Sequence, residues 1–123
     1  MVRPLTERTA NMAKLDAPLP AGFVEAIQQL VEERNRQGGP GHKRLYARDL
    51  HEEALRELIG RAEAGEAILF LAPPSAKGRR SFWIDQDLKQ GIDRLATKHG
   101  VTRTAVFLTA LHSYLERQHA PSS

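Results

Sequence analysis

The stretch Arg79-Arg80-Ser81-Phe82-Trp83-Ile84 alternates side-chain character and runs into Asp85-Gln86-Asp87, an acidic helix start. Alternation of this kind is the signature of a half-buried strand. No neighbouring segment has comparable strand quality, and an isolated strand leaves its backbone N–H and C=O groups without partners. The strand must find its partner far away in sequence or on a second chain. That requirement restricts the folds open to these 123 residues more than composition does.

The segment after the strand carries clear helix signals. Leu88, Ile92, Leu95 and Ala96 line one face of a helix capped by Asp85 and closed at His99-Gly100. Thr102 caps a further helix to about Gln118, apolar at Ala105, Val106, Ala110, Leu111, Tyr114 and Leu115. Upstream, Phe23, Val24, Ile27, Leu30 and Val31 recur at helical spacing and mark a helix from about Pro20 to Arg36, ended by the run GGPGHK. Leu50, Ala54, Leu55, Leu58 and Ile59 form the stripe of another, from about Leu45 to Ala64, with Arg48, Glu52, Glu53, Arg56 and Glu57 on its polar side and Gly65 at its end. Pro18 and Pro20 enforce an extended piece before the first helix. Ala67 to Leu71 read as a short buried strand or an apolar linker, stopped by Pro73-Pro74.

An internal repeat suggests where the partner strand lies. Without a gap, Leu19 falls on Ile84, Phe23 on Leu88, Ile27 on Ile92 and Leu30 on Leu95. With the glycine-rich loop taken as an insertion, Leu50, Ala54, Leu55, Leu58 and Ile59 fall on Val106, Ala110, Leu111, Tyr114 and Leu115. Both halves read strand, helix, helix. The expected fold is mainly helical, with a short two-stranded antiparallel ribbon formed by residues near Lys14 to Leu19 and residues 79–84. The chain then divides into a mobile arm (1–13, carrying Arg3 and Arg8), a first unit (14–65), a connector (66–78, with a polar, flexible loop from Ser75 to Gly78), a second unit (79–118) and a tail (119–123).

Charge is unevenly placed along this plan. Residues 1–72 hold ten Lys and Arg against eleven Asp and Glu, whereas residues 73–123 hold eight against four. The excess in the second part points to a polyanionic partner. Cysteine is absent, which excludes disulfides and thiolate metal sites. The beginning of the chain lacks the apolar run of a signal peptide, and no stretch reaches the roughly 18 apolar residues of a membrane span, so a cytoplasmic location is expected. His42, His51, His99, His112 and His119 form no metal-ligand spacing and read as surface or cap residues. GGPGHKR lacks the spacing of a phosphate-binding loop, and Glu52, Glu53 and Glu57 read as a solvated helix face. We therefore expect no enzyme, no cofactor and no metal.

A two-stranded ribbon fits the major groove of B-form DNA, where the base edges differ in their donors and acceptors. If Phe82 and Ile84 face the helices, Arg79, Ser81 and Trp83 face outward. The aligned positions of the first strand are Lys14, Asp16 and Pro18; Lys14 suits DNA, whereas Asp16 suits it only by accepting from a cytosine amino group. The amides at Thr102, Arg103 and Thr104 open the last helix and can hold a phosphate. The expected DNA-binding residues are Lys14, Arg79, Arg80, Ser81, Trp83, Thr102, Arg103 and Thr104. Arg79 and Arg80 also suit a solubilised strand edge, and Trp83 a packed aromatic over the partner strand.

The segment RRSFWIDQDLKQGIDRLATKHGVTRTAVFLTALHSYL, with its alternating strand, acidic helix start and the turn HGVTRTA, resembles a ribbon-helix-helix unit of the MetJ/Arc class. Two such units joined by AGEAILFLAPP resemble the tandem single-chain ribbon-helix-helix proteins typified by the VirC-operon accessory protein of T-DNA transfer. The resemblance implies sequence-specific double-stranded DNA binding by the ribbon, in a transcriptional regulator or repressor, or in a plasmid maintenance or conjugative transfer factor. The chain departs from the common plan in its first strand, with Asp16 and Pro18, and in its long RQGGPGHKR loop. A second reading is an antitoxin-like or adaptor protein, with residues 20–72 binding a protein partner and the last unit forming a homodimer on DNA.

Overall fold

The computed structural model of the chain describes residues 12–72 and 79–119, except the side chains of Arg79 and His119. Arg3, Arg8, the loop Ser75 to Gly78 and the last four residues lie outside the described residues. The element order is β1 (Met12–Pro18), α1 (Ala21–Gln37), α2 (Ala47–Glu63), β2 (Arg79–Asp85), α3 (Gln86–His99) and α4 (Arg103–His119). Strand, helix, helix thus occurs twice.

The distant partner strand is the one expected. β1 and β2 pair antiparallel within one chain, from Met12 opposite Asp85 to Pro18 opposite Arg79. The strand begins at Met12, two residues before the expected start, so Met12 and Ala13 belong to the ribbon and not to the arm. Pro18 is tolerated because it stands at the ribbon's end, where its missing N–H interrupts no further ladder. The sequence alignment places Asp16 on Ser81, and the register pairs those same two residues, one position from the ribbon's middle.

Helix ends follow local chemistry. The Pro20 carbonyl accepts from the Phe23 and Val24 amides and so opens α1. Asp85 accepts from the Asp87 amide at 2.9 Å to cap α3, and Thr102 Oγ1 accepts from the Ala105 amide at 3.1 Å to cap α4. Gly65 and Gly100, at φ of 86° and 66°, take the left-handed turn that follows α2 and ends α3. The long loop between α1 and α2 is stitched back onto α1 by Asn35, whose Oδ1 accepts from the Leu45 amide at 2.8 Å while its Nδ2 donates to the Leu45 carbonyl at 3.0 Å.

One core serves both halves. Leu15 and Ala17 of β1 and Ile84 of β2 cover one side of it, and the helices close it with Ile27, Leu30, Leu50, Leu55, Leu58, Ile92, Val106, Leu111 and Tyr114. α2 and α4, the second helix of each half, have the most extensive helix contact in the molecule. Residues 67–72 are a linker and not a strand: Leu69 is exposed, Phe70 packs on the core, and the Leu71 amide donates to the buried Thr109 hydroxyl at 2.9 Å.

Two polar residues of α2 differ from their sequence expectation. Glu52 is only 9% exposed and accepts from the Asp85 amide at 3.1 Å, where β2 turns into α3, and from Arg48 at 3.3 Å. It is a tertiary anchor and not part of a solvated face. His51 is only 7% exposed, with its ring edge-on to Phe82 and Phe107 at 5.2 and 5.5 Å between centroids, so it belongs to the core and not to the surface. Burial lowers it to about 4 from its ordinary 6.5.

Candidate nucleic-acid interface

The strand period sorts the ribbon into two faces. Leu15, Ala17 and Ile84 are buried and Phe82 is half-buried, whereas Lys14, Asp16, Ser81 and Trp83 are exposed. Pro18 shares the outer face by parity, as does the backbone position of Arg79 opposite it. The outer face is therefore built on three cross-strand positions: Lys14 with Trp83, Asp16 with Ser81, and Pro18 with the backbone of Arg79. At the centre the Ser81 hydroxyl donates to Asp16 Oδ1 at 2.7 Å, and Lys14 Nζ lies 3.9 Å from the same oxygen. Asp16 is thus partly neutralised by its own neighbours.

Trp83 is 50% exposed and lines a groove described below. Arg80 has the parity of Phe82 and Ile84 and pairs with the buried Ala17, yet it remains exposed near the ribbon's end. It lines the same groove as Ser81 and Trp83.

Beside the ribbon, a cavity of about 430 Å³ is walled by Lys14, Leu15 and Asp16 of β1, by Lys89 of α3, and by Thr102, Arg103 and Thr104 at the start of α4. Three cations and a helix amino terminus converge there. The first turn of α4 holds no acidic residue. Arg103 is also paired with Asp93 of α3, which steadies the guanidinium next to the cavity. Thr104 is 8% exposed and forms part of the wall, and it makes no side-chain hydrogen bond among the described residues. The arrangement can accept an anion that reaches backbone N–H groups, hydroxyls and cationic heads together.

The fold brings Lys14, Thr102, Arg103 and Thr104 to one cavity, and Arg80, Ser81 and Trp83 together to a second one against β2. Sequence reading missed Lys89. It sits in the first turns of α3 on the polar side of the stripe formed by Leu88, Ile92 and Leu95, and its direction toward β1 depends on how α3 crosses the ribbon. The usable signal was its nearness to an acidic helix start that must lie beside the ribbon. No group of His, Cys, Asp or Glu among the described residues has the arrangement of a metal site, and none of the described helices is long and apolar enough to cross a membrane. Comparison of the chain with protein-family models, curated proteins and solved structures returns no match.

Proposed function

We propose that the protein is a sequence-specific double-stranded DNA-binding protein with a tandem ribbon-helix-helix fold, reading the major groove with the outer face of its ribbon. The observation that carries this reading is the adjacency of two surfaces. An intramolecular two-stranded ribbon exposes Lys14, Asp16, Ser81 and Trp83, and a basic cavity opens beside it at the amino end of α4. Base edges and backbone phosphates of B-form DNA are likewise adjacent, and a ribbon has the width of the major groove. The coincidence of sequence alignment and strand register at Asp16 and Ser81 supports two equivalent units about an axis through the ribbon. The extensive contact of α2 with α4 supports the same plan.

In this reading Arg79 is the guanine reader, and Ser81 and Asp16 share the central base step. Thr102, Arg103 and Thr104 fix the protein to the backbone. The biological setting is regulation of transcription, or plasmid maintenance or transfer, on DNA in the cytoplasm. The alternative, an adaptor whose last unit homodimerises through residues 79–84, is less well supported because that strand takes its partner from its own chain.

The test is fluorescence anisotropy with a duplex chosen by the protein from a random pool and with a scrambled duplex, over a salt series. We expect tight, selective and salt-sensitive binding, with Arg79→Ala losing roughly 1 to 3 kcal/mol of discrimination. Retention of full selectivity by both Arg79→Ala and Ser81→Ala would remove the ribbon from the readout.

A further inference from the structure

The internal repeat implies a second cavity, related to the basic one by exchange of the two units. The spacing that sets Leu50 on Val106 sets Tyr46, Ala47, Arg48 and Asp49 on Thr102, Arg103, Thr104 and Ala105. The spacing that sets Phe23 on Leu88 sets Val24 on Lys89. A cavity is indeed present at that place, between β2, α1 and the start of α2, and its volume of about 400 Å³ is close to that of the first.

Its chemistry is different. Where the basic cavity has Lys89, this one has Val24, and where that one has Arg103, this one has Ala47. Leu19, Ile27, Phe82 and Trp83 add apolar lining, and Arg80 of β2, which is exposed, adds a second cation to that of Arg48. The amino terminus of α2 is already complemented, because Asp49 in its first turn accepts from the Tyr46 amide at 2.8 Å. Arg48 stands where Thr104 stands in the other unit, but its guanidinium is held by Glu52 at 3.3 Å and directed to the Met12 sulfur at 3.0 Å. A phosphate here would meet a carboxylate at the helix start and an apolar wall.

We propose that the protein grips the DNA backbone at the start of α4, through Lys89, Arg103 and Thr104, and not at the equivalent start of α2, and so recognises a site without palindromic symmetry. This rests on the DNA-binding reading. A two-fold fold usually implies equal half-sites, because equal surfaces meet equal DNA. Here the frame is repeated while the anchors at the two helix starts are not: the start of α4 is fixed to a phosphate by Lys89 and Arg103, and the start of α2 has Val24 and Ala47 in their places and its own carboxylate in Asp49. The DNA must then present its backbone in one orientation to the α4 side.

The slope of log affinity against log salt counts phosphate contacts at about 0.9 each on B-form DNA, and it can be measured on any duplex. The full chain is compared with Lys89→Ala/Arg103→Ala, with Arg48→Ala, and with Val24→Lys/Ala47→Arg, which rebuilds the missing anchor. Circular dichroism verifies that each variant folds. We expect the first variant to lower the slope by about one to two, Arg48→Ala to leave it unchanged, and Val24→Lys/Ala47→Arg to raise it by about one. Equal losses from Lys89→Ala/Arg103→Ala and from Arg48→Ala would overturn one-sided anchoring and leave DNA binding standing. No affinity of the unaltered chain for any duplex at low salt would overturn both.

Discussion

Glu52 and His51 are consecutive residues of α2, and both are buried for tertiary reasons. Glu52 receives the Asp85 amide at the junction of β2 with α3 and lies within 3.6 Å of Arg56 as well as 3.3 Å of Arg48. Glu52→Ala leaves a buried amide and two arginines without their acceptor, and we expect a loss of about 1 to 3 kcal/mol in urea unfolding. Glu52→Gln keeps an oxygen for the amide, so its loss is the smaller; equal losses would mean that charge and not the hydrogen bond matters. His51 bears on pH. Its folded value, lowered to about 4 by burial, lies below the ordinary 6.5, so between these values the unfolded chain binds a proton that the folded chain excludes. The resulting stability is complete above pH 6.5 and is lost as pH falls toward 4, amounting to about 3 kcal/mol at most. His51→Phe places an apolar ring beside Phe82 and Phe107, and unfolding measured from pH 7 to 5 should then become flatter than in the unaltered chain. An unchanged pH slope would assign that dependence to other groups.

The elements differ in how openly the sequence displays them. α3 and α4 are legible nearly to the residue because Asp85, Gly100 and Thr102 act through bonds to their own neighbours. β1 is not legible locally, since two prolines bracket its end and Asp16 interrupts its outer face; only alignment with the second half suggested it. The orientation of the ribbon's exposed residues followed from parity once Phe82 and Ile84 were taken as inward. Burial of Glu52 and His51, and the approach of Lys89 to β1, depend on the crossing of α2 and α3 with the ribbon, for which no short-range pattern exists. The loop before α2 is an intermediate case. Its glycines suggested an insertion, but Asn35 ties it down with two hydrogen bonds to the Leu45 backbone, and His42 Nε2 lies 3.1 Å from the same side-chain oxygen. Asn35→Ala removes these links at a cost of about 1 to 2 kcal/mol, felt first in the loop. Hydrogen exchange at the Leu45 amide should accelerate well before amides in α2 respond, and simultaneous acceleration of both would show that loop and helix open together.

On the scale of the molecule, the two halves cannot be separate folding units. Each supplies one strand, and each strand's backbone groups are paired by the other across the ribbon. Leu15 of one half and Ile84 of the other lie in the same cluster as core residues from both helix pairs, so removing either half exposes the interior of the remainder. A chain built this way should unfold in one step, with its single tryptophan, Trp83, reporting on the ribbon and far-ultraviolet dichroism on the helices. We expect the two signals to share one midpoint. The same pairing predicts how stability depends on concentration. A ribbon assembled from two chains gains stability by mass action as protein is added, whereas one closed within a single chain does not. The thermal midpoint should therefore stay fixed as concentration is raised a hundredfold, with sedimentation giving the mass of one chain. A midpoint that climbs with concentration would mean that β2 finds β1 on another molecule in solution, and the anchoring cavity, walled by β1 on one side and by α3 and α4 on the other, would then be assembled from two chains.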